Sequence, residues 1–362
     1  MTVEIFSFFS GIGFLDLGFE IAGADISFVN ENNNNFLQAY QYARRNNSKI
    51  PRYGYSSNSM EIFINDEVWN NQFPNYVTGN INNLIGFIGG PPCPDFSAAG
   101  KNAGSKGKNG QLTEKYITLI IKRQPDFFLL ENVKGLYQTK KHKEFYIRMK
   151  RKLYRSGYSV FDSIENSLEY GVPQFRDRLI LIGLRRKTFG NRLMYTIGRN
   201  KIYTLDQIFQ CKWPTTDEFH VGNRLNKPEN IIEDLTVEHW FKTNNVTKHE
   251  NANDIFHILA ENKFMTIAEG DTSKKSFKRL HRWRYSPTAA YGNNEVHLHP
   301  YQPRRISVAE ALAIQSVPAW FQVLPTLSLS SKFKMVGNGV PYLLAYGIAK
   351  ELLQWIRDYT TR

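Results

Sequence analysis

One cysteine occupies a backbone setting that could hold a reactive thiol. Cys93 lies in the run Gly-Gly-Pro-Pro-Cys-Pro, directly after an apolar stretch that is typical of a buried strand. Open α/β sheets keep their sites at the carboxyl ends of strands, and the prolines fix the backbone there and prevent a helix from continuing. A thiolate is a strong nucleophile, although a lone cysteine is also commonly a small buried apolar residue. The sequence leaves both roles open.

A carboxylate and two arginines accompany two other apolar stretches. Glu131 directly follows the apolar segment 127–130, which is typical of a buried strand. A carboxyl group there could donate or accept a proton. Arg176 and Arg178 precede another apolar stretch, and strand alternation predicts that both guanidinium groups lie on one face. Two such groups suit a phosphate or a carbonyl oxygen, although a salt-bridged surface pair has the same spacing.

Two glycines and a carboxylate near the N-terminus are typical of a nucleoside site. Gly11 and Gly13 separate a predicted strand from a predicted helix, so backbone N–H groups could approach a ligand there. Glu31 follows the second strand, where a carboxylate can bind both hydroxyls of a ribose. The next glycine is Gly18, so the spacing of a nicotinamide dinucleotide fingerprint is absent. A tight turn without a ligand would also explain the paired glycines.

Apolar strands alternate with helical patterns through the first half of the chain. This order predicts an α/β fold with a doubly wound, mostly parallel sheet. The segment 46–75 has few strong signals and is predicted to be a surface insertion. The predicted strands are Val3–Phe9, Ile26–Val29, Leu84–Ile88, Phe127–Leu130 and Leu179–Leu184, and the predicted helices cover about 15–21, 112–122, 140–155, 307–315 and 341–356.

The alternation stops after Arg186. The following stretch is rich in Asn, Lys, His and aromatic residues without a strand–helix period, so we predict a second, smaller domain over residues 187–318. A helical pattern returns near the C-terminus. The first domain is therefore predicted to comprise residues 1–186 and 319–362.

Composition narrows the functional classes. The 362 residues include 46 Lys and Arg against 33 Asp and Glu, a formal charge of +13 that suits nucleic acid but also fits any basic protein. The two cysteines, Cys93 and Cys211, are far apart and form no zinc or disulfide pattern. The first residues carry no basic leader, and no run reaches the roughly 18 apolar residues of a membrane span. We therefore expect a cytoplasmic protein without a metal or a membrane segment.

Five sequence blocks, spread over nearly the whole chain, resemble those of the cytosine carbon-5 DNA methyltransferase family in residues and in order. The resemblance implies a Rossmann-like S-adenosylmethionine-dependent methyltransferase domain, with a target-recognition domain over 187–318. Weaker support comes from Arg304 to Glu310, followed by Gln315 and Pro318. The five blocks are Phe9-Ser10-Gly11-Ile12-Gly13, Gly90-Pro91-Pro92-Cys93 with Phe96-Ser97, Glu131-Asn132-Val133, Gln174-Phe175-Arg176-Asp177-Arg178 and Gly337-Asn338-Gly339-Val340-Pro341.

The resemblance also implies a covalent mechanism. Cys93 would attack carbon 6 of a cytosine extruded from the duplex, while Glu131 engages the ring N3 and the exocyclic amine. Carbon 5 would take the methyl group of S-adenosylmethionine, and loss of the carbon-5 proton would then free Cys93. Arg178 would contact the base carbonyl, and Arg176 would support the cysteine loop or the phosphate backbone. The base that removes the carbon-5 proton is not identified.

The implied cofactor is S-adenosylmethionine. The chain departs from the family at four positions: Phe14 stands where a glycine is usual, Asn80 replaces Asp in the segment that meets the adenine, Pro94 replaces Gln after the cysteine, and Ala309 stands where the family often has Arg. An Asn amide oxygen could still accept a hydrogen bond from the adenine amine. The matched cofactor positions are Phe9, Gly11, Ile12, Gly13, Glu31, Asn80, Ile81, Pro92, Asn338 and Val340.

Double-stranded DNA is the implied partner. The Gly- and Lys-rich segment 97–111 corresponds to the family's loop that closes over the flipped base, and basic and aromatic residues interleave in 187–318, as suits phosphate positioning and base-edge reading. Three histidines, at 281, 297 and 299, are assigned no metal. A monomer on DNA is expected, and genetic pairing with a restriction endonuclease, or a solitary or phage enzyme, stays open. The predicted DNA contacts are Ser97, Lys101, Lys106, Lys108 and Arg304.

Two other functions stay open. One branch of the family methylates tRNA cytosine, but its Cys-Phe-Thr tripeptide is absent from this chain. A non-catalytic nucleic-acid-binding relative is the other alternative. Retention of Cys93, Glu131, Arg176 and Arg178 together counts against it.

Overall fold

One seven-stranded sheet organises the computed structural model, which describes residues 1–92, 108–138, 140–257, 261–274, 276–289, 291 and 295–360. The strand order is β3-β2-β1-β4-β5-β7-β6. Strands β1 to β5 pair in parallel, whereas β7 is antiparallel to both β5 and β6. The predicted mostly parallel sheet is thus confirmed. The strands are β1 Thr2–Phe8, β2 Asp25–Asn30, β3 Tyr55–Ser56, β4 Asn83–Gly89, β5 Phe127–Val133, β6 Tyr158–Asn166 and β7 Asp177–Arg185.

Helices cover both faces of this sheet. Within the described parts of the chain, no helix is long and apolar enough to cross a membrane. The α-helices are α1 Phe14–Ile21, α2 Asn34–Arg44, α3 Asp66–Gln72, α4 Lys108–Arg123, α5 Gly135–Gln138, α6 Lys140–Arg155, α7 Arg186–Phe189, α8 Leu205–Gln210, α9 Val237–Thr243, α10 Glu261–Met265, α11 Val308–Ile314, α12 Leu329–Asn338 and α13 Tyr342–Thr360.

Strand alternation divides the apolar side chains between two cores. On β1, Val3 and Ile5 face a cluster that includes α1 and α13, whereas Phe6 and Phe8 face a cluster that includes α4 and α6. Both faces are covered, so the central strands are nearly continuous apolar runs, as parallel strands usually are. This burial on both faces fixes the positions of the strand ends.

The prediction of a surface insertion at 46–75 is wrong. Met60, Phe63, Trp69 and Phe73 are buried at 1–3% exposure and pack in the same cluster as Phe6. A 3₁₀ helix over Met60–Ile64, helix α3 and Phe73 directly after it contribute these side chains, so this segment packs against the sheet. Its apolar residues are too widely spaced for either a strand or a long helical pattern, so sequence periodicity did not reveal their burial.

Strand β6 also lacks a prediction from sequence. It lies at the edge of the sheet and most of its side chains are half-buried, so it mixes polar and apolar residues without a continuous apolar run. Its antiparallel pairing with β7 places Glu165 opposite Arg178 and Asn166 opposite Asp177. The start of β7 therefore lies at the same sheet edge as the end of β5.

The segment after residue 186 contains short helices and isolated β-bridges in its described part. Some of its apolar residues pack in a core shared with the N-terminal part of the chain. Phe241 and Leu280 lie in one buried cluster with Ile12 and Phe14, which are in and next to the glycine segment, here residues 10–13. The segment is therefore packed directly against the N-terminal part of the site. The division at 186 and 318 stays a prediction.

Candidate active site

The carboxyl ends of four strands meet at one edge of the sheet. The register pairs Phe8 of β1 with Asn30 of β2 and with Gly89 of β4, and Gly89 in turn with Leu130 of β5. A predicted site segment directly follows β1, β2 and β4, and Glu131 lies in the last part of β5. The glycine segment, Glu31, the Gly90–Pro92 turn and Glu131 are therefore neighbours, as expected for a site in an open α/β sheet.

Glu31 is tied to the glycine segment by backbone hydrogen bonds. The Gly11 N–H donates to its Oε2 at 2.9 Å, and the Asn33 N–H donates to its Oε1 at 2.8 Å. Burial raises the pKa of Glu31, against the lowering effect of these two donors. Each carboxylate oxygen keeps a second lone pair, so the group has two acceptors left for a diol.

Gly13 admits no side chain. Its φ is +86°, and a Cβ would lie 2.3 Å from Cε2 of Tyr40 and 2.5 Å from Nη1 of Arg44. Gly11 also has a positive φ, +56°, but nothing lies within 4 Å of its Cβ position. The two glycines thus differ. Gly13 allows Tyr40 and Arg44 to pack against the backbone, whereas the space next to Gly11 is open.

Gly13→Ala is expected to destabilise the protein by about 2–5 kcal/mol, the sum of backbone strain and overpacking. Gly11→Ala is the matched control, because it introduces the backbone strain alone and should cost about 1–2 kcal/mol. Urea unfolding followed by circular dichroism measures both. Equal losses for Gly13→Ala and Gly11→Ala would contradict the packing argument.

A buried polar group beneath this segment was missed by the sequence analysis. Asp16 accepts from Ser7 Oγ at 2.8 Å and from Tyr40 Oη at 2.9 Å, and Arg44 Nη2 donates to the Gly13 carbonyl at 2.7 Å. Burial raises the pKa of Asp16, while the charge of Arg44 lowers it. Helix α2 thereby fixes the backbone of the glycine segment. Its periodic placement of Tyr40 and Arg44 on one helix face was the available signal.

Asn80 and Ile81 lie at the opposite edge of the sheet from Glu31. They precede β4, the Thr2 N–H bonds the Asn82 carbonyl, and Gly79 bonds Asp126, which precedes β5. The seven residues of β1 put this edge about 20 Å from the glycine segment. The prediction that Asn80 and Ile81 meet the adenine is therefore wrong.

The residues after β3 occupy the place that Asn80 and Ile81 were given. β3 pairs with β2 in parallel, so residues 57–59 leave the sheet beside Glu31. The Asn30 side chain donates to the carbonyls of Ser56 at 3.2 Å and of Asn58 at 2.8 Å, which holds this turn in place. The similarity of Gly79-Asn80-Ile81 to the family's adenine segment was misleading, because residue types alone do not show at which edge of the sheet a segment lies.

Glu131 is placed over the turn that leads to residue 93. A Cβ on Gly90 would lie 2.8 Å from its Oε2, so the absence of a side chain there makes room for the carboxylate. Its Oε1 pairs with Arg178 Nε at 2.7 Å, and each of the two side chains is 11% exposed. A nearly buried Glu–Arg pair thus borders the Gly90–Pro92 turn.

Asn132 fixes the same turn. Its Nδ2 donates to the Pro91 carbonyl at 3.3 Å, and its Oδ1 accepts from the Val133 N–H at 2.9 Å. The side chain is fully buried. The residue next to Glu131 therefore anchors the segment that precedes the cysteine, a positioning role that its place in a sequence block did not specify.

Arg176 contacts a different segment from Arg178 within the described part of the chain. Arg176 is 1% exposed and its Nη2 donates to the carbonyls of Gly337 at 2.8 Å and Gly339 at 3.1 Å. It thereby fixes the turn at the end of α12. The cysteine loop lies outside the described residues, so the expected support of that loop by Arg176 stays a prediction beside its observed contact with the 337–339 turn.

The remaining residues that were predicted to bind the cofactor lie around the same edge of the sheet. Phe9 has a positive φ of 54° and lies edge-on to the ring of Tyr116. The side chains of Ile12 and Val340 are in hydrophobic cores at 1% and 7% exposure, so any ligand would meet chiefly their backbone. Asn338 is exposed at the end of α12, and Pro92 is half-buried.

Several predicted residues lie outside the described part of the chain. These are Cys93, Ser97, Lys101 and Lys106. Lys108 begins helix α4, and nothing is described of its side chain. Their roles stay predictions from sequence.

Arg304 is engaged within the protein. Its Nη1 and Nη2 donate to the two carboxylate oxygens of Glu310 at 2.9 and 2.7 Å, and the same Glu310 caps α11 together with Ser307. Burial raises the pKa of Glu310, but hydrogen bonds from Arg304 and His299 outweigh this and lower it to about 2. The predicted DNA contact of Arg304 is therefore corrected to an internal ion pair. The Ser-x-x-Glu capping box was visible in the sequence.

The three histidines that were assigned no metal role are used within the fold. His281 Nε2 lies 2.8 Å from Asp217 Oδ2, and His299 Nε2 lies 3.4 Å from Glu310 Oε1. Burial lowers the pKa of His297 to about 3. Among the residues that the structure describes, no group of three His, Cys, Asp or Glu side chains could hold a metal ion.

The chain is similar over nearly its whole length to known proteins. Residues 3–354 match the family model described as C-5 cytosine-specific DNA methylase. The type II methyltransferase M.NmeDI of Neisseria meningitidis serogroup C is 50% identical over 362 residues, which cover 99% of this chain and 85% of that protein. M.FnuDI of Fusobacterium nucleatum, also a type II methyltransferase, is 29% identical over 380 residues, covering 98% and 96%.

A solved structure shows the same fold. It is described as a DNA modification methyltransferase encoded within a prophage, from E. coli, and it superposes with a TM-score of 0.65 at 21% identity. The match covers 98% of this chain and all of that one.

Proposed function

Because the chain belongs to the C-5 cytosine-specific DNA methylases and is a DNA cytosine-5-methyltransferase of the type II restriction-modification kind, we propose that it uses S-adenosylmethionine and a covalent adduct of Cys93. The observation that carries this proposal is the Glu131–Arg178 pair over Gly90, at the turn that leads to residue 93. A proton donor, a cation and a nucleophile would then meet at one point of the sheet edge.

The residues present fit S-adenosylmethionine. Glu31 offers two carboxylate acceptors to the ribose hydroxyls, and the open space above Gly11 leaves room for the methionine part. The turn at 57–59 would lie beside the adenine, with Phe9 and Pro92 as apolar walls. When bound, the sulfonium of this cofactor supplies an electrophilic methyl group.

Cys93 would act as the nucleophile. Its thiolate forms a bond to carbon 6 of cytosine, and the ring electrons move toward carbon 5 and N3. Glu131 donates a proton to N3, which relieves the negative charge that attack would place on the ring. Carbon 5 is then nucleophilic enough to take a methyl group. Loss of the carbon-5 proton to a base, return of the N3 proton to Glu131 and breaking of the sulfur–carbon bond then give 5-methylcytosine and the free thiolate.

The two arginines would divide the supporting work. Arg178 holds Glu131 in place through its Nε and has further N–H groups to direct at the base carbonyl oxygen. Arg176 fixes the turn at 337–339, next to the exposed Asn338 that would contact the cofactor. Arg178 is thus proposed as a catalytic residue, whereas Arg176 is proposed as a positioning residue.

Duplex DNA would lie between the sheet edge and residues 187–318. We assign target recognition to this segment and the cofactor and chemistry to residues 1–186 and 319–362. The extruded cytosine costs a few kcal/mol of stacking and pairing, which contacts to the phosphates would offset. A monomer acting on DNA is the proposed working form.

Glu31→Gln is expected to weaken S-adenosylmethionine binding about 10- to 100-fold, because one charged acceptor for the ribose hydroxyls is lost. Binding to the unchanged protein should also weaken as the pH falls through the pKa of Glu31, which burial raises above its ordinary range. Isothermal titration calorimetry at several pH values measures both effects. Glu4→Gln, a buried carboxylate at the other end of β1, is the control. Equal affinity of Glu31→Gln and Glu4→Gln would refute the ribose contact.

The proposed function is tested by transfer of labelled methyl groups from S-adenosylmethionine. Unmethylated genomic DNA and total tRNA are offered in parallel, and sequencing reports 5-methylcytosine. Label in DNA at one short motif is expected. Label in tRNA alone would overturn the DNA assignment, and incorporation into neither would favour a binding protein without turnover.

A further inference from the structure

Helix α6 presents a row of cations that the proposed chemistry does not use. Arg148, Arg151 and Arg155, here called the arginine row, are exposed and follow one another at spacings of three and four residues. This spacing places them on one face of the helix. None of the three forms a hydrogen bond or an ion pair with any residue that the structure describes.

The other charges around this face do not neutralise the arginine row. Lys150 is paired with Asp162, and Lys152 Nζ lies 2.7 Å from Glu114 Oε1, so these acids are already engaged. Glu144 is the one acid within α6 and lies one turn before Arg148. The face therefore keeps a net positive charge that is available to an external anion.

Helix stability does not explain this arrangement. Like charges three and four residues apart destabilise a helix by about 0.2–0.5 kcal/mol per pair. The first turn of α6 holds Lys140 and Lys141 and no acid, which opposes the helix dipole. Ile147 and Tyr154 flank the row at 37% and 62% exposure. Exposed guanidinium groups without a hydrogen bond or ion pair to the described residues suit binding of phosphate oxygens.

The position of α6 connects the arginine row to the DNA substrate. The helix begins seven residues after β5 ends, at the sheet edge that carries Glu131, and then runs away from that edge. Its 16 residues extend about 24 Å, the length of about seven base pairs. The arginine row occupies the second half of α6, about 12 to 23 Å along the axis from its first residue. A duplex that extends past the methylated sequence on this side of the protein would meet the row there.

We propose that the arginine row binds the phosphate backbone of duplex DNA outside the sequence that is methylated. The proposal rests on DNA being the substrate and is independent of the cofactor and of the covalent step. Guanidinium groups bind phosphate through paired N–H donors, and such contacts carry no sequence information. The helix therefore adds affinity for long DNA without changing the sequence that is read.

The test compares two triple variants with the same change in net charge. One carries Arg148→Gln, Arg151→Gln and Arg155→Gln, and the control carries Lys49→Gln, Arg192→Gln and Lys350→Gln, three exposed cations on other parts of the surface. Fluorescence anisotropy without cofactor gives the Kd for duplexes of about 14 and about 40 base pairs, with lengths chosen from the reach of α6. Both are centred on the motif that sequencing identifies.

For the arginine-row variant we expect a Kd at least about tenfold higher on the long duplex at 0.1 M salt, with the short duplex unchanged. The slope of log Kd against log salt on the long duplex should fall by about 2.7, or 0.9 for each lost phosphate contact. Equal weakening on both lengths, or equal weakening by the control variant, would overturn the proposal. An unchanged slope would also overturn it and would leave an acidic protein surface as the occupant of this face.

Discussion

Replacing Cys93 by serine is expected to lower methyl transfer to DNA by at least about 1,000-fold. A serine hydroxyl is scarcely ionised at neutral pH, and nothing in the proposed mechanism deprotonates it, so attack on carbon 6 should fail. Affinity for S-adenosylmethionine should stay within about threefold of the unchanged protein, because a thiol-to-hydroxyl change removes no contact proposed for the cofactor. Single-turnover transfer of labelled methyl groups and calorimetric binding measure the two quantities.

Cys211→Ser is the matched control for this variant. Cys211 follows α8, is half-buried, and its thiol lies 3.4 Å from the Gln207 carbonyl oxygen. It has no part in the proposed mechanism. Its replacement should leave methyl transfer unaffected. Normal turnover by Cys93→Ser would exclude the covalent mechanism, and loss of turnover in both variants would point to a general effect of cysteine removal.

Glu131→Gln is expected to lower turnover by about 100- to 10,000-fold, the range for loss of a general acid. The amide keeps the size of the side chain over Gly90 but cannot protonate N3, and it leaves Arg178 without its charged partner at 2.7 Å. The single-turnover rate at saturating cofactor and DNA measures this loss. Cofactor affinity should change little, because Glu31 and not Glu131 is proposed to hold the ribose.

A buried carboxylate at the other end of the same strand separates chemistry from stability. Asp126 precedes β5, accepts from the N–H groups of Gly79 and Ile85, and lies 4.0 Å from Arg185. Asp126→Asn should lower the unfolding temperature without a comparable loss of single-turnover rate at a temperature where it is folded. If Glu131→Gln loses activity only in proportion to its loss of stability, Glu131 is structural and not catalytic.

The central strands could be predicted from sequence because they are buried on both faces. β1, β4 and β5 are mostly apolar, so their limits agree with the predicted ones to within a few residues. β6 was missed because an edge strand exposes part of its side chains. Aromatic residues at 60–73 form part of the core, but their spacing follows a 3₁₀ helix and a two-turn helix that no single period describes.

The candidate site could be predicted where a polar residue directly follows the buried apolar part of a strand. Glu31 and Glu131 meet this condition, and the structure brings both to one sheet edge. Asn80 and Ile81 were misplaced because a match of residue types does not say whether a segment precedes or follows its strand. Arg304 was assigned to DNA, whereas it pairs with Glu310, six residues further along the chain. The contact of Arg176 with the Gly337 carbonyl joins segments 161 residues apart, which only the fold reveals.

The most direct measurement is covalent capture of the enzyme on duplex DNA in which cytosine is replaced by 5-fluorocytosine. Fluorine at carbon 5 cannot leave as a proton does, so after methyl transfer the sulfur–carbon bond should not break. The account predicts a stable protein–DNA complex that requires S-adenosylmethionine, with peptide mass analysis placing the adduct on Cys93. Methyl transfer to ordinary DNA without any captured complex, or an adduct on another residue, would contradict it.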